Sequence, residues 1–463
     1  MESMYKFITR KSYLVLSVLG IALVSIIFSC AGPEPEDQAR EEEPVHPEWS
    51  KNANIYEVNI RQYTPEGTFK AFSEHLPRLK EMGVDILWLM PVHPIGVEKR
   101  KGTMGSYYSV KDYKAVNPEF GDIEDFKALV NEIHELDMKI ILDWVANHTA
   151  WDNWWIEENP EWYTKDEDGN FVAPYDWTDV ADLNYDNPEM REAMIDALKF
   201  WVVEAGIDGY RCDVAGEVPL DFWDNAISQL RELKPVFMLA ESEVPEHHEV
   251  GFDMTYAWEL HHLMNLIAQG KAPADTLNYY HMKQDTLFPD DAYRMIFTSN
   301  HDENSWNGTV FERMGDGAKT FALLSVTLPG MPLIYSGQEA AMDKRLEFFE
   351  KDEIEWGNFE YQDFYETLLE LKKQNSALWN GEYGGSMEFL STNIPSSVVA
   401  FVRENEEDRI LAILNLSPQS HEIMIETGDY SGTYTDLFSG ESTDVVSDFS
   451  HTLEPWEYRV FVK

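Results

Sequence analysis

Between residues 54 and 340, short runs rich in apolar and β-branched side chains alternate with longer stretches in which apolar residues recur at helical spacing. Eight of the short runs stand out, at residues 55–60, 85–91, 139–145, 207–214, 236–241, 252–258, 295–299 and 332–336. Most of them are almost continuously apolar, which is typical of parallel strands that are covered on both faces. Eight repeats of strand and helix indicate an α/β fold with a closed (β/α)8 TIM barrel rather than an open sheet.

The chain has 463 residues, which is too many for one ordinary domain. We predict the barrel over residues 51–384. We also predict a small subdomain inserted at about residues 147–186, after the third strand, because a structureless loop of that length would be unusual. From about residue 385 the apolar runs become short and alternating, at residues 398–403, 409–415, 422–426 and 456–462. This pattern predicts a C-terminal antiparallel β-sandwich over residues 385–463.

The N-terminus has the features of an export signal. Basic residues precede an apolar run at residues 13–28, which is short for a helix that spans a membrane. The run ends in the sequence IFSC at Cys30, which resembles the lipobox of bacterial lipoproteins. We therefore predict a signal peptide over residues 1–30, lipidation of Cys30 and an acidic, flexible tether over residues 31–50. An uncleaved anchor is the alternative, and either one places the protein at the cell envelope, outside the cytoplasm, and attaches it to the membrane only through that anchor.

The charge balance excludes one class of partner. Acidic residues number 84 and basic residues 36, which gives a formal net charge of -48 at pH 7. Such a surface repels the phosphates of nucleic acids, so we expect no nucleic-acid binding.

Polar residues stand where several of the predicted strands end. Asp143 ends the third strand, Arg211 and Asp213 lie at the end of the fourth, Glu241 ends the fifth, and Asp302 follows the seventh. The active sites of TIM barrels form at this edge of the sheet, so these side chains are expected to converge. An isolated carboxylate at a strand end is usually a salt bridge or a cap. Several on one rim repel one another when they are partly buried, and that cost argues for a function.

Five segments together resemble the signature of the α-amylase superfamily, family 13 of the glycoside hydrolases. They are DWVANH at 143–148, GYRCD at 209–213, LAE at 239–241, SNHD at 299–302 and GMPLIYSGQE at 330–339. They occur in the order of the family, and the resemblance extends from residue 52 to the C-terminus.

The resemblance implies three catalytic carboxylates. Asp213 is expected to be the nucleophile and Glu241 the general acid/base of a double displacement that retains the anomeric configuration. Asp302 is expected to hold sugar hydroxyls and to favour distortion of the bound ring. A retaining mechanism places the carboxyl groups of Asp213 and Glu241 about 5–5.5 Å apart.

Further roles follow from the same likeness. Four residues are expected to bind the substrate: Tyr108, His148, Arg211 and His301. Tyr107 competes with Tyr108 for the position that stacks on the sugar. Asp143 and Asn147 are expected to support the site, with Asp143 orienting Arg211.

No metal or other cofactor is predicted to be required. Many family members bind calcium between barrel and insert, and Asn147 is present here. However, Asn184 stands where an aspartate is usual, and Gly216 and Glu217 replace the usual lysine and histidine. The loop at residues 62–67 also lacks alternating Asp and Asn ligands. Oxygen ligands for a weak Ca²⁺ site remain.

The remaining histidine pairs and the cysteine are predicted to have structural roles and not to bind a metal ion. The adjacent pairs His247-His248 and His261-His262 have no spaced acidic or cysteine partners, so we expect surface or capping positions for them. Cys212 lies within an apolar run and is expected to be a small buried hydrophobe.

These observations predict an enzyme that hydrolyses α-1,4-glucosidic bonds in starch, glycogen or maltooligosaccharides. Glucanotransferases and exo-acting α-glucosidases share the same carboxylates, so both are alternatives. A non-catalytic glycan-binding protein on the same scaffold is a third, disfavoured because all three catalytic carboxylates are present.

Overall fold

The computed structural model describes residues 46–463, so the predicted signal peptide, Cys30 and most of the predicted tether lie outside the described part of the chain. Eight parallel strands form a closed barrel, and two short strands belong to the insert. In chain order these ten strands are β1 (Ile55–Val58), β2 (Ile86–Leu89), β3 (Lys139–Val145), β4 (His148–Ala150), β5 (Val180–Asp182), β6 (Gly209–Asp213), β7 (Phe237–Ala240), β8 (Met254–Tyr256), β9 (Tyr293–Phe297) and β10 (Met331–Tyr335). Each of the eight predicted runs overlaps one barrel strand, and the predicted fold class is confirmed.

Parallel pairing joins each barrel strand to two neighbours, in the order β1, β2, β3, β6, β7, β8, β9, β10 and back to β1. Ile55 of β1 pairs with Ile86 of β2 on one side and with Leu333 of β10 on the other. Inward-facing side chains, among them Trp88 and Phe237, form a fully buried core inside the barrel. The barrel is therefore packed with side chains and is not an open channel.

Thirteen helices occur in the described residues, most of them on the outside of the barrel. They are α1 (Ile60–Tyr63), α2 (Phe69–Ser73), α3 (Leu76–Met82), α4 (Ile123–Glu135), α5 (Trp154–Glu158), α6 (Pro188–Phe200), α7 (Leu220–Arg231), α8 (Glu246–Glu249), α9 (Trp258–Ala268), α10 (Thr276–Leu287), α11 (Val310–Met314), α12 (Ala318–Thr327) and α13 (Gln362–Gln374). Helix α4 shows how they form. The Asp122 carboxylate accepts the backbone N–H of Asp125 and caps the first turn, while Phe126, Leu129 and Ile133 are buried on one face.

The insert contains a small sheet of its own. Strands β4 and β5 pair antiparallel, with His148 opposite Asp182. Four of its tryptophan and tyrosine side chains are buried, namely Trp155, Trp162, Tyr163 and Tyr185. Trp154 and Tyr175 are exposed. Most of the buried rings therefore stabilise the fold of the insert rather than line a groove.

The C-terminal part is antiparallel. Its strands are β11 (Ser386–Phe389), β12 (Val398–Glu404), β13 (Arg409–Asn415), β14 (His421–Glu426), β15 (Gly432–Asp436), β16 (Ser442–Val445), β17 (Asp448–Leu453) and β18 (Tyr458–Val462). Six strands form one sheet in the order β11-β12-β13-β18-β15-β16, and β14 pairs with β17. Side chains of both sheets, such as Ala400 and Ile423, share one buried core. The sequence predicted four of these strands and missed β11, β15, β16 and β17.

The C-terminal strands pack directly on the barrel side. The indole of Trp456 lies so close to Gly317 that a Cβ at that glycine would come within 2.9 Å of the ring. The guanidinium of buried Arg403 donates to the Leu328 carbonyl at 3.2 Å. Within residues 46–463, no helix has the length and apolar character to cross a membrane.

Candidate active site

A cavity of about 410 Å³ opens at the C-terminal ends of the barrel strands. Six of the residues singled out in the sequence line it: Tyr108, His148, Asp213, Glu241, His301 and Asp302. They come from five separate segments of the chain. Folding thus brings the three expected catalytic carboxylates to one pocket.

Arg211 lies beneath the pocket and joins its carboxylates. Its Nη1 donates to Asp143 Oδ1 and to Asp213 Oδ1, both at 2.9 Å. Its Nη2 lies 2.8 Å from Glu241 Oε2, a charge contact without hydrogen-bond alignment. Its Nε donates to the Tyr256 hydroxyl at 3.0 Å. The side chain is 0% exposed and does not line the cavity, so the geometry makes Arg211 a positioning residue rather than the substrate-binding residue that the sequence suggested.

The backbone turns sharply after the expected nucleophile. Val214 adopts a left-handed conformation, with φ 37° and ψ 46°, which is strained for a β-branched residue. The turn aims the Val214 N–H at Glu241 Oε2, 2.7 Å away. This hydrogen bond therefore holds the carboxyl group of Glu241 beside the residue that follows Asp213.

Burial and Arg211 act against each other on the buried carboxyls. Burial raises the pKa of Asp213 well above its usual range, and the charge of Arg211 opposes that rise. Burial likewise raises the pKa of Asp143, against the charges of Arg211 and His301. The charge of Arg211 thus favours the ionised forms of Asp143 and Asp213 against the effect of their burial.

His301 is held in its protonated form by two carboxylates. Its Nδ1 hydrogen-bonds to Glu57 Oε1, and its Nε2 lies 2.8 Å from the Tyr108 hydroxyl and 3.3 Å from Asp302 Oδ2. Burial works to lower the pKa of His301, but Asp302 and Glu57 outweigh it and raise the pKa to about 9. The imidazolium is therefore a donor at neutral pH.

Glu57 is a site residue that the sequence analysis missed. It lies on β1, is fully buried, and supplies the carboxylate beneath His301. Burial raises the pKa of Glu57, and His301 opposes that rise. In the sequence, the feature that could have indicated this residue is a single glutamate within an otherwise apolar strand.

His148 is in the opposite charge state. Burial lowers its pKa to about 4, so the ring is neutral at neutral pH. The amide Nδ2 of Asn147 lies 3.2 Å from His148 Nδ1, which places the predicted supporting residue behind the ring. The edge of His148 faces Trp177, a further lining residue.

Tyr108, and not Tyr107, faces the cavity. Its hydroxyl donates to Asp143 Oδ2 at 3.0 Å, and its ring stacks with that of His301. Tyr107 is buried beneath Arg61, whose guanidinium lies 4.3 Å from the centre of the ring. Asp302 is the most open of the three carboxylates, with 37% of its side chain exposed.

A second cavity lies between the insert and the segment that follows β6. It is lined by Asn147, Asp182 and Glu217, while Asn184, the residue noted in the sequence, does not line it. Burial raises the pKa of Asp182, and Glu217 adds to the rise. In residues 46–463, no group of three or more His, Cys, Asp or Glu side chains is arranged to hold a metal ion.

The histidine pairs follow the sequence prediction only in part: His262 is exposed, as expected, whereas one histidine of each pair is buried. His261 is fully buried, and its Nε2 lies 3.0 Å from Glu303 Oε2. His247 is also buried, with Nε2 3.3 Å from the Ala215 carbonyl. Both are interior residues rather than surface ones, because each ring nitrogen finds a partner that the local sequence could not reveal. Cys212 is buried, as expected.

Known proteins show the same architecture. The family described as "Alpha amylase, catalytic domain" matches residues 44–161 and 156–382, and "Maltogenic Amylase, C-terminal domain" matches residues 387–460. Alpha-amylase MalA of Haloarcula japonica is 26% identical over 432 residues, which cover 90% of this chain and 62% of MalA. Alpha-amylase 3 of Dictyoglomus thermophilum is 28% identical over 447 residues, or 80% of this chain and 85% of that protein.

A solved structure has a similar fold. The noncanonic maltogenic alpha-amylase AmyB from Thermotoga neapolitana superposes with a TM-score of 0.82 at 30% identity, covering 89% of this chain and 99% of AmyB. The sequence match, the closed barrel and the C-terminal antiparallel sheets agree with one another. The chain belongs to the α-amylase family, family 13 of the glycoside hydrolases, with a C-terminal domain of the maltogenic amylase type.

Proposed function

We propose that this protein is a retaining α-glycosidase that hydrolyses α-1,4-glucosidic bonds in starch, glycogen or maltooligosaccharides. One observation carries the proposal: a single buried arginine holds Asp213 and Glu241 side by side at the floor of a pocket that Asp302 also lines. Two neighbouring carboxyls with different roles are what a double displacement requires.

In the first step the Asp213 carboxylate attacks the anomeric carbon, and Glu241 gives its proton to the glycosidic oxygen as that bond breaks. Oε2 of Glu241 already accepts the Val214 N–H, so the proton to be delivered resides on Oε1. The leaving sugar departs neutral, and a glycosyl ester on Asp213 remains. In the second step Glu241 removes a proton from water, whose oxygen replaces Asp213 at the same carbon and restores both carboxyl groups.

The polar groups around the ring complete the site. Neutral His148 can donate to or accept from a hydroxyl, whereas Asp302 accepts from two hydroxyls. Protonated His301 holds Asp302 and Tyr108 in place in the free enzyme. The charges of Arg211 and His301 then stabilise the carboxylates while positive charge develops on the reacting ring.

Two variants test the assignment with two substrates. Glu241→Gln should cleave maltoheptaose at least about a hundredfold more slowly than wild type, because the leaving oxygen is no longer protonated. Glu241→Gln should still react with α-maltosyl fluoride in the first step, because the fluoride leaving group needs no proton. Asp213→Asn should lose activity on both substrates. Equal losses on both substrates in Glu241→Gln would contradict the acid role, and Asp182→Asn, outside the pocket, is the matched control.

A time course on maltoheptaose separates hydrolysis from transfer. Water should resolve the intermediate, so products shorter than the substrate should appear from the first minutes. Early accumulation of longer chains would instead identify a glucanotransferase.

We also propose that the protein is a lipoprotein of the cell envelope, anchored through Cys30. The basic N-terminus, the short apolar run, the IFSC sequence and the acidic stretch that follows support this. Cells that express the protein should incorporate labelled palmitate into it, and Cys30→Ser should abolish the label. Equal labelling of both proteins, or none of either, would refute the anchor.

A further inference from the structure

We propose that this enzyme cleaves α-glucans only from their non-reducing ends, because a fixed wall closes the pocket on the side of the bound sugar. The inference rests on the proposed hydrolase function. The wall is formed by residues 96–105, here called the rim loop, together with the segments that hold it on both sides.

On one side the rim loop is joined to residues 347–350. Met104 N–H donates to the Phe349 carbonyl at 3.0 Å, and Thr103 donates to the Glu350 carboxylate through both its N–H, at 2.9 Å, and its hydroxyl. Gly102 has φ +63°, and a Cβ there would lie 2.4 Å from the Cβ of Phe349. The two segments are therefore in direct backbone contact, with no gap for a sugar chain.

On the other side the rim loop is joined to the insert. Lys101 Nζ lies 2.8 Å from Asp179, and both residues line the cavity. The Val97 N–H donates to both carboxylate oxygens of Asp152 at 3.1 Å. The wall is thus continuous from residue 350, through the rim loop, to the insert.

Barrel topology places this wall opposite the acid. The rim loop follows β2 and residues 347–350 follow β10, so the wall stands over β10, β1 and β2. Glu241 directly follows β7, which is four strands from β1 in either direction around the barrel. A general acid stands on the side of the departing sugar, because it protonates the leaving oxygen. The wall is therefore on the side of the sugar that becomes attached to Asp213.

The part of the wall formed by residues 347–350 is apolar where it meets the pocket, which Phe348 and Phe349 line. Phe348 stacks with Tyr108, and half-exposed Trp306 packs against Phe348 and Phe349. Such rings can cover the apolar face of a pyranose at this end of the pocket. A chain end fits this shape, whereas the interior of a polymer would have to pass through the wall.

The test compares two substrates that differ only at the chain end: p-nitrophenyl maltoheptaoside and the same compound with its non-reducing glucose blocked by a 4,6-ethylidene group. Products are followed by chromatography. The unblocked substrate should release short sugars from its non-reducing end, and the blocked one should react more than about a hundredfold more slowly. Similar rates would overturn the proposal. Failure to cleave either substrate would instead refute the proposed function, and the inference with it.

Variants test whether the rim loop is what excludes the blocked substrate. The double variant Lys101→Ala/Glu350→Ala removes one side-chain link on each side of the loop. The ratio of blocked to unblocked turnover should rise by about tenfold or more. Lys114→Ala, which breaks the exposed pair with Asp196 outside the cavity, should leave the ratio unchanged. A double variant with the wild-type ratio would show that the wall does not exclude the blocked end.

Discussion

Glu57→Gln should move the alkaline limit of activity, because it removes one of the two carboxylates that keep His301 protonated. In the native protein Nδ1 of His301 donates to Glu57, and the pKa of His301 is raised from 6.5 to about 9 despite its burial. A neighbouring opposite charge shifts a pKa by about one to three pH units, so the variant should titrate that much lower. Glutamine keeps the size of the side chain, which limits the change to the charge.

The raised pKa of His301 also makes the stability of the protein depend on pH. The pKa of His301 is higher in the folded than in the unfolded protein, so its protonated form stabilises the fold. This contribution to the free energy of unfolding is complete below pH 6.5 and is lost as the pH rises through 9. The difference corresponds to roughly 3 kcal/mol in the native protein. Glu57→Gln should lose less stability than wild type between pH 6.5 and pH 9.5, because its His301 has a lower pKa in the folded protein and so a smaller contribution to lose.

Two measurements check this: kcat/KM on maltoheptaose from pH 5 to 10, and urea unfolding at pH 6.5 and 9.5. Asp253→Asn is the matched control, since it removes a buried carboxylate paired with His46 at the other end of the barrel. It should lower stability without moving the alkaline limb. Superimposable alkaline limbs for wild type and Glu57→Gln would refute the reasoning.

Other substitutions probe the same site. Arg211→Lys, which cannot bridge three carboxylates, should lower kcat by about a hundredfold or more with a smaller effect on KM, measured by steady-state kinetics. Val214→Gly should raise the free energy of unfolding by about 1 kcal/mol in urea titrations, because it relieves the left-handed strain and keeps the N–H that holds Glu241. Tyr108→Phe should reduce kcat, since its hydroxyl links Asp143 to His301, while Tyr107→Phe should not; equal effects would remove the distinction between the two tyrosines.

Apolar periodicity was enough to locate the barrel, because both faces of its strands are buried and the runs are nearly continuous. Strands β15 (Gly432–Asp436) and β17 (Asp448–Leu453) escaped the same reasoning, since exposed polar residues interrupt them and only two side chains of each are buried. Antiparallel strands with one face in solvent carry a weaker signal than strands that are covered on both faces.

The sequence predicted site residues only where they follow strands in recognisable motifs. Glu57 was missed because its partner, His301, is 244 positions away in the sequence. The strain at Val214 is a property of the backbone that no side-chain pattern encodes. The rim loop depends on contacts with Phe349 and Asp179, which only the tertiary fold brings together. His261 was misread for the same reason, since Glu303 is distant in the chain.

The most direct test of the account is to trap the glycosyl-enzyme. An α-maltosyl fluoride with a 5-fluoro substituent on the reacting ring forms the covalent intermediate quickly and releases it slowly. Peptide mass spectrometry should find one maltosyl group per chain, on the peptide that contains Asp213, and none in Asp213→Asn. A label on Glu241 or Asp302, or turnover of the probe without any label, would contradict the central claim.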